Sequence, residues 1–240
     1  TLVMVGEDWD PPARMAELAE LLDVVVARPR WNVVIGDCAG IRLGLTNVCW
    51  APMAAMVAHQ FFAMGTKQIV LVGYYGGLDR TLGYGRVLIA DAATGEDGAT
   101  NAYALSSVEQ SADRELATNA AALLAQRGLA CTRGRVVTTD AMLLEDRATI
   151  ERWIAAGHAG VDGETASVYA VARRFGGSAL AMLTCSDLLV AGDTLYDTSS
   201  TDDSACDDTF DALLEVAIEL ARGTPVGGSS TLSSSDGRVG

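Results

Sequence analysis

Two acidic residues in the C-terminal half of the chain are the first candidates for chemistry. Glu164 follows a predicted short strand at residues 159–161, and Asp187 follows a predicted apolar strand at residues 179–184. A helix predicted at residues 165–175 joins the two strands and ends at a Gly-Gly pair. Strands joined by such a crossover are parallel, so their carboxyl ends meet at one edge of the sheet. We therefore expect both carboxylates at an edge where open α/β sheets bind ligands.

More acidic side chains follow other predicted strands. Asp140 comes directly after a strand at residues 135–139, and the acidic segment 7–10 follows a strand at residues 2–5. Taken singly, such a carboxylate is commonly a helix cap or a solvated loop residue. Several carboxylates at one edge suit a reaction in which a cationic transition state develops and a leaving group takes up a proton. Cleavage of a glycosidic bond is such a reaction.

The sequence argues against several other chemistries. The two histidines, His59 and His158, lie in no metal-binding pattern, and the chain has neither a nucleophile elbow nor a P-loop. The glycines at residues 36–44 do not match the spacing of a dinucleotide-binding loop. The five cysteines are scattered and form no C-x-x-C pair, so we expect reduced thiols. We expect no metal and no cofactor.

The composition indicates a folded, acidic protein. Of the 240 residues, 50% are apolar and 20% are charged, which is typical of a folded domain. The formal net charge of −14 argues against a nucleic acid or an anionic membrane as the partner. No apolar run reaches the length of about 18 residues that a membrane span needs. The first residues also lack the basic segment of a secretory signal, so we expect a cytoplasmic protein.

Strands that alternate with helices predict an α/β fold with a mixed, mostly parallel sheet. The predicted domain covers residues 1–222, and the Gly- and Ser-rich residues 223–240 are predicted to be a flexible tail. The remaining predictions are loops at residues 36–44, 73–77 and 91–103 and one helix at residues 109–127. The Gly-rich loop is expected to be either a tight turn or a place where the backbone approaches a ligand.

Residues 161–187 carry a resemblance to a known family. V-D-G-E-T-A-S-V-Y-A-V-A followed by A-L-A-M-L-T-C-S-D resembles the V-x-M-E-A-A-x-x-Y-x-V-A and A-L-x-x-x-T-x-S-D signature of the purine nucleoside phosphorylase and uridine phosphorylase family. Weaker similarities lie at residues 10–14, 69–77, 96–103 and 138–140. The resemblance implies a single-domain three-layer α/β/α sandwich. It also implies an enzyme of the superfamily of nucleoside phosphorylases and nucleosidases.

The resemblance implies roles for matching residues. Glu164 would hydrogen-bond the ribose hydroxyls, and Asp187 would donate a proton toward N7 of a purine as the base leaves, with Ser186 beside it. Met142 would lie at the position whose side chain stacks on the base, here as softer thioether packing. Asp187 at its position also indicates a purine-like base. The remaining substrate-binding candidates are Gly163, Gly73, Tyr74 and Arg14.

The departures from the family pattern concentrate on the phosphate side. Asp10 stands where the family has the glycine of its phosphate loop, and Leu71 stands where the family has a phosphate-binding Arg. Tyr74 replaces a small residue, and Arg14 remains of the basic cradle. A carboxylate beside a bound phosphate would be disfavoured by charge repulsion and desolvation. Residues 204–210 also lack the Arg that helps the catalytic Asp release its proton.

Three outcomes are therefore open, and the sequence favours the first. In the first outcome, water replaces phosphate as the nucleophile, and Asp10 acts as the general base, or the neighbouring Asp8 or Glu7 does. The chain is then a purine nucleosidase. Alternatively, the chain is a repurposed enzyme or binding protein for another small molecule, or a true purine nucleoside phosphorylase. The resemblance also implies a homo-oligomer, a dimer or hexamer, in which neighbouring subunits complete each pocket.

Overall fold

One mixed sheet forms the centre of the protein. The computed structural model describes residues 1–6, 11–28, 32–104, 109–194 and 203–223. The described residues form ten strands, in the order β10-β6-β8-β9-β5-β1-β4-β3-β2 with β7 paired to β6. Of their ten pairings, five are parallel and five antiparallel. The strands are β1 Leu2–Gly6, β2 Val24–Ala27, β3 Val33–Cys38, β4 Ile41–Val48, β5 Gln68–Gly77, β6 Val87–Glu96, β7 Glu109–Ser111, β8 Cys131–Thr139, β9 Gly160–Asp162 and β10 Ser178–Asp187.

Helices cover both faces of the sheet, so the predicted α/β fold with three layers is confirmed. One hydrophobic cluster joins α2 and α6 to the sheet, and a second joins α1, α4 and α7 to the opposite face. Along β1, Leu2 and Met4 belong to the first cluster, whereas Val3 and Val5 belong to the second. The helices are α1 Pro11–Glu20, α2 Trp50–Ala63, α3 Gly98–Tyr103, α4 Arg114–Gln126, α5 Arg147–Ala155, α6 Thr165–Phe175 and α7 Asp203–Ala221, with 3₁₀ turns at Met142–Leu144 and Leu189–Ala191.

The sheet closes on itself at one end. β10 pairs with β6 and also with β5, so that β5, β10, β6, β8 and β9 form a ring of strands. β10 runs parallel to β5, whereas β9 runs antiparallel to β5. The two strands that flank α6 therefore run in opposite directions, and the prediction that they are parallel is wrong. The crossover rule concerns strands of one open sheet, whereas α6 links β9 and β10, the two neighbours of β5 in a closed ring of strands.

Two predicted loops are strand segments. Residues 36–44 form the hairpin of β3 and β4, in which Cys38 pairs with Ile41. Ala39 and Gly40, with φ of 48° and 84°, make the two-residue turn, a conformation that matches the twist of hairpin strands. The Gly-rich residues 73–77 continue β5 to its end. A Cβ atom on Gly77 would lie 2.8 Å from the Leu188 side chain, so glycine is required there by close packing rather than by a turn.

Two further predictions fail because tertiary pairing overrides local sequence preference. The predicted loop at residues 91–103 is the second half of β6 followed by α3, whose N-cap Asp97 accepts a hydrogen bond of 2.6 Å from Thr100 N. The predicted helix at residues 109–127 is divided into β7 and α4. Asp113 begins α4 by accepting a hydrogen bond of 3.0 Å from Leu116 N.

The predicted tail at residues 223–240 lies outside the described residues except for Gly223, which follows α7 in a turn. The domain boundary at residue 222 stays a prediction. None of the helices in the described ranges is both long enough and apolar enough to cross a membrane.

Tyr169 on α6 fixes the place where the ring closes. Its hydroxyl donates a hydrogen bond of 2.7 Å to Ala90 O of β6 and accepts one of 2.8 Å from Ala181 N of β10. The side chain is buried, and burial raises the pKa of the phenol above its usual range. One hydroxyl therefore satisfies two backbone groups next to the register shift of β6 between Ala90 and Ala92.

We expect Tyr169→Phe to lower the free energy of unfolding by about 2–4 kcal/mol, because it leaves two buried backbone groups without their partner. Urea denaturation monitored by circular dichroism measures this change. The control is Tyr103→Phe, which removes a hydroxyl that contacts His59 Nδ1 at 2.8 Å near the surface. We expect that control to lose less than about 1 kcal/mol. Equal losses in the two variants would contradict the assigned role of Tyr169.

Candidate active site

The C-terminal half of β5 brings the two predicted carboxylates together. Gly73 lies against Gly6, the last residue of β1, and a Cβ atom on Gly6 would be 3.3 Å from Glu164 Oε2. Three residues further along β5, a Cβ atom on Gly76 would be 3.2 Å from Asp187 Oδ2. Three residues of a strand span about 10 Å. Glu164 and Asp187 therefore both lie near the C-terminal half of β5, although the strands that precede them are not parallel; their joint role in one site stays a prediction.

Glu164 is held by the first residue of α2. Its Oε1 accepts a hydrogen bond of 2.7 Å from Trp50 N, and its carboxylate is buried. Trp50 has a positive φ of 66°, a backbone conformation that is strained for a bulky residue and occurs mainly where surrounding structure enforces it. Trp50 is thus a site residue that the sequence did not indicate, because nothing in the local pattern signals its conformation.

Gly163 makes room for the Trp50 indole. A Cβ atom on Gly163 would lie 3.0 Å from Trp50 Cε3 and 3.7 Å from the Met142 methyl group. The side chains of Trp50 and Met142 therefore meet over the backbone of Gly163, next to Glu164. Three of the predicted substrate-binding residues, Gly163, Glu164 and Met142, form one contiguous surface with Trp50.

Asp162 fixes the turn that carries Glu164. Its Oδ2 accepts hydrogen bonds from Thr165 N at 2.9 Å and from the Thr165 hydroxyl, and its Oδ1 accepts one of 2.6 Å from the Thr138 hydroxyl. Glu164 N lies 3.4 Å from the same Oδ2. Burial raises the pKa of the Asp162 carboxyl, which the hydrogen bonds from Thr138 and Thr165 oppose. Of the two acids in this turn, Asp162 is committed to structure and Glu164 faces the site.

Asp187 is a buried acid with a defined orientation. Its Oδ1 accepts a hydrogen bond of 2.7 Å from the Ser186 hydroxyl, while Oδ2 lies toward Gly76. Burial raises the pKa of the Asp187 carboxyl, the hydrogen bond from Ser186 opposes this, and the nearby carboxylate of Asp193 raises the pKa further. Asp193 is itself buried, where its Oδ2 accepts hydrogen bonds from Leu188 N at 3.0 Å and from the Tyr84 hydroxyl. This environment favours the protonated form of Asp187, as a proton donor requires.

A cavity of about 20 Å³ lies against Asp187. This volume is enough for one water molecule. The lining residues come from four parts of the chain and include most of the predicted base-binding side: Tyr74, Tyr75, Gly76, Met142, Glu145, Val161, Ser186 and Asp187.

The predicted phosphate side is occupied by a stack of side chains. The Tyr74 ring stacks on the Phe210 ring of α7, with centroids 4.9 Å apart and an interplanar angle of 15°. The Arg14 guanidinium lies 5.1 Å from the centroid of the same Phe210 ring and forms an ion pair of 2.9 Å with Glu17. Leu71 is buried in the core of the sheet. Asp10, the predicted general base, lies outside the described residues, as do Glu7 and Asp8.

The histidines and the metal-ligating side chains add nothing to this site in the described ranges. His59, predicted at the core or an interface, is on an exposed part of α2 beside Tyr103, and His158 is buried against Trp153 O and the Thr94 hydroxyl. Within the described part of the chain, no group of three or more His, Cys, Asp or Glu side chains is arranged to hold a metal ion.

Comparison with known proteins identifies the family. A family model described as "Phosphorylase superfamily" matches residues 5–221. The chain belongs to the phosphorylase superfamily. This confirms the family predicted from the sequence, and with it the expectation of an enzyme.

Two curated relatives and one solved structure illustrate the similarity. The purine nucleoside phosphorylase DeoD-type of Hahella chejuensis is 30% identical over 93% of each chain. That of Alkaliphilus metalliredigens is 28% identical, and the match spans 65% of each chain. The uridine phosphorylase of Vibrio fischeri ES114 is 21% identical, has a TM-score of 0.78, and is matched over 93% of this chain and 92% of that one. This last likeness shows the shared superfamily fold.

The shifted pKa of Asp187 predicts a pH-dependent stability. A carboxyl whose pKa is raised by folding stabilises the protein below its unfolded pKa and loses that contribution as the pH rises through the folded pKa. We therefore expect Asp187→Asn to become more stable relative to the wild type as the pH rises from about 4 to 7. Urea denaturation at several pH values measures this difference.

Asp146→Asn is the control with the opposite sign. Hydrogen bonds from Thr149 lower the pKa of the Asp146 carboxyl, which caps α5 at the surface. The Asp146 carboxylate stabilises the folded protein above the unfolded pKa, and this contribution is lost as the pH falls. Relative to the wild type, Asp146→Asn should therefore become less stable as the pH rises. If Asp187→Asn follows the same trend as Asp146→Asn, folding does not raise the pKa of the Asp187 carboxyl.

Proposed function

We propose that this phosphorylase-superfamily enzyme cleaves the N-glycosidic bond of a purine-type nucleoside, with water rather than phosphate as the nucleophile. The bond from the sugar C1′ to the base nitrogen breaks, and Asp187 gives its proton to N7 of the leaving base. A water oxygen forms the new bond to C1′ and loses one proton to solvent, and the Asp187 carboxylate takes up one proton from solvent, so that the enzyme returns to its starting state. The observation that carries this proposal is the buried Asp187 carboxyl, whose pKa is raised and whose Oδ1 is oriented by Ser186.

The sugar end of the site supports the same reaction. Glu164 lies at the start of α6 with Oε1 on Trp50 N, and a carboxylate has two oxygens with about four acceptor positions. A carboxylate at this place is a suitable acceptor for hydrogen bonds from ribose hydroxyls. The segment from Gly73 to Gly76, about 10 Å long, separates Glu164 from Asp187. A separation of this order suits a nucleoside whose sugar lies at Glu164 and whose base lies at Asp187.

The stack on the phosphate side favours water over phosphate. A phosphate dianion would need cations that are free to face it, whereas the Arg14 guanidinium is paired with Glu17 and packed on Phe210. Tyr74 places a phenol ring in the same stack. Leu71 supplies no charge from within the core. Binding phosphate there would require Arg14 to leave both of its partners.

True phosphorolysis is the second candidate. Two of the relatives named above are called purine nucleoside phosphorylases, and the sequence resemblance places Arg14 at the Arg of the family's phosphate loop. The homo-oligomer and the cytoplasmic location expected from the sequence stay predictions.

A product analysis separates the nucleophiles. We expect adenosine, inosine or guanosine to release free base at the same rate with and without phosphate, because water is the proposed nucleophile. Mass spectrometry after reaction in heavy-oxygen water should find the label on ribose. Arg14→Gln should leave this rate within about threefold. Strict phosphate dependence, with ribose 1-phosphate as product, would establish phosphorolysis instead. A chain that cleaves no nucleoside under either condition would instead favour a repurposed member of the superfamily.

The proton donor has its own test. We expect Asp187→Asn to lower kcat by about 10²–10⁴-fold, the usual loss when a general acid is removed. The rate of the wild type should fall as the pH rises through the raised pKa of Asp187, because the protonated carboxyl is the active form. Asp146→Asn, at the surface cap of α5, should retain full activity. If Asp187→Asn turns over within threefold of the wild type, another group protonates the base.

A further inference from the structure

The outward face of α2 carries no charged side chain, in a chain whose formal net charge is −14. None of the 14 residues from Trp50 to Ala63 is Asp, Glu, Lys or Arg, and the same is true of the six residues of the neighbouring α3. One side of α2 is buried, whereas Pro52, His59 and Gln60 on its other side are exposed. A helix without charge on any side is ordinarily covered. The outer face of α2 is thus the kind of surface that another chain covers.

A groove between α2 and α3 lies on this uncharged face. Its volume is about 580 Å³, and its lining is mostly apolar, with Pro52, Met56, Ala99 and Tyr103 among the lining residues. The Tyr103 hydroxyl contacts His59 Nδ1 at 2.8 Å, which joins the two helices. Met56 lies in the middle of α2 and in the groove. Contiguous exposed apolar surface of this kind marks an interaction site.

The end of this face at the start of α2 is acidic. A Cβ atom on Gly163 would lie 3.7 Å from Met142 and 3.0 Å from the Trp50 indole, so these side chains lie close together. Asp140, two residues before Met142, is exposed, and its Oδ2 accepts a hydrogen bond of 3.1 Å from N of Gly98, the first residue of α3. A carboxylate thus lies where α2 and α3 both begin.

The opposite end of the face is basic. The Phe175 ring, 38% exposed, stacks on the Phe62 ring near the end of α2, with centroids 5.9 Å apart. Arg173 and Arg174 directly precede Phe175 in α6, and both are exposed. Lys67, shortly after α2, is exposed as well. Three cations therefore lie near the end at which α2 stops.

These charges make the face complementary to a second copy of itself. When two α2 helices pack antiparallel about a two-fold axis, the acidic end of each copy meets the basic end of the other, and the uncharged centres meet at the axis. An isologous contact needs such self-complementarity. The parallel alternative would bring like charges together. Since a net charge of −14 makes copies of the chain repel one another, close approach is favoured where carboxylates are absent.

Two other groups of exposed apolar side chains lack this pattern. Residues 24–26 belong to the edge strand β2, in which a register shift against β3 interrupts the regular edge. Such irregularities discourage association through strand edges. Residues 143–144 are followed directly by the charged residues 145–147. Among the described residues, the face of α2 and α3 therefore fits a second copy best.

We propose that the chain forms a homodimer through the face of α2 and α3, with the two α2 helices antiparallel and the two-fold axis near Met56. Any larger assembly of the chain contains this dimer as its unit. The proposal goes beyond the proposed function and depends on neither its substrate nor its nucleophile. Because Trp50 begins α2 and donates its N–H to Glu164, the interface begins next to the candidate active site.

A charge at the axis tests the interface. Sedimentation velocity measures the mass, and we expect the wild type to contain an even number of copies at micromolar concentration. Met56→Lys places two ammonium groups against each other across the axis, so it should halve the mass. The change makes the chain less negative, so general repulsion between copies does not explain that loss. Val25→Lys, on the exposed strand β2, is the matched control and should keep the wild-type mass.

Charge reversal at the two ends tests the direction of the helices. We expect Asp140→Lys alone, or Arg173→Glu together with Arg174→Glu, to raise the dissociation constant of the dimer by at least about tenfold. Each change sets like charges together at both symmetry-related contacts. All three substitutions in one chain restore opposite charges and should bring the constant back to within about threefold of the wild type. These residues are exposed, so the variants should fold, which circular dichroism checks.

Several outcomes would overturn the proposal. They are a monomeric wild type, a mass that Met56→Lys leaves unchanged, and a mass that Val25→Lys halves equally. A chain with all three charge reversals that associates no better than its parent variants would overturn the antiparallel arrangement. If Met56→Lys does not fold, the charge-reversed variants decide. None of these measurements uses turnover, so failure of the interface and failure of nucleoside cleavage are seen in different experiments.

Discussion

The close packing at Gly76 is the constraint on which the closure of the sheet and the position of Asp187 depend. Gly76 pairs with Val161 of β9 on one side and with Asp187 of β10 on the other. A Cβ atom there would lie 3.1 Å from Val161 and from Leu189, and 3.2 Å from Asp187. Distances this short are tighter than ordinary van der Waals contacts, and the branched side chains of Val161 and Leu189 have little freedom to move away. A hydrogen atom at this position lets two oppositely directed strands join the same end of β5, and this closure brings the sugar end and the base end of the site within one molecule's length.

The two halves of the site differ in electrostatic character. On the base side, burial and the neighbouring Asp193 both raise the pKa of Asp187, and the other residues that line its cavity are apolar or neutral except for the acidic Glu145. On the opposite side, the cation of Arg14 is compensated by Glu17 and packed on an aromatic ring. A proton donor needs the first environment, whereas an anionic nucleophile needs a concentration of positive charge that the described residues on the second side do not provide. This difference, rather than any single substitution, is the basis for the proposal that water is the nucleophile.

Much of the site could be predicted from the sequence because its residues lie in short, specific motifs. Glu164, Ser186 and Asp187 occur in a strand–helix–strand segment with a recognisable pattern, and β1 and α6 lie close to their predicted bounds. The strand directions could not be predicted, because ring closure between β5 and β10 is a non-local pairing. The full length of β5 could not be predicted, because local sequence patterns do not distinguish glycines that close packing requires from glycines in turns. Trp50 and Phe210 were missed for a related reason: their roles come from contacts with residues more than a hundred positions away.

The positive φ of Trp50 gives Glu164 a second significance. A left-handed backbone costs a residue with a side chain about 1–2 kcal/mol, and the hydrogen bond from Trp50 N to Glu164 helps to offset that cost. The carboxylate proposed to bind the sugar is thus also one of the groups that hold the first residue of α2 in its conformation. A sugar hydroxyl that weakens this hydrogen bond also leaves the strained backbone of Trp50 less stabilised, whereas a hydroxyl that leaves the bond intact has no such effect. The measured affinity for a nucleoside therefore contains a conformational free energy of the protein, and sugars that differ by one hydroxyl can differ in affinity through the backbone at residue 50 as well as through their own contacts.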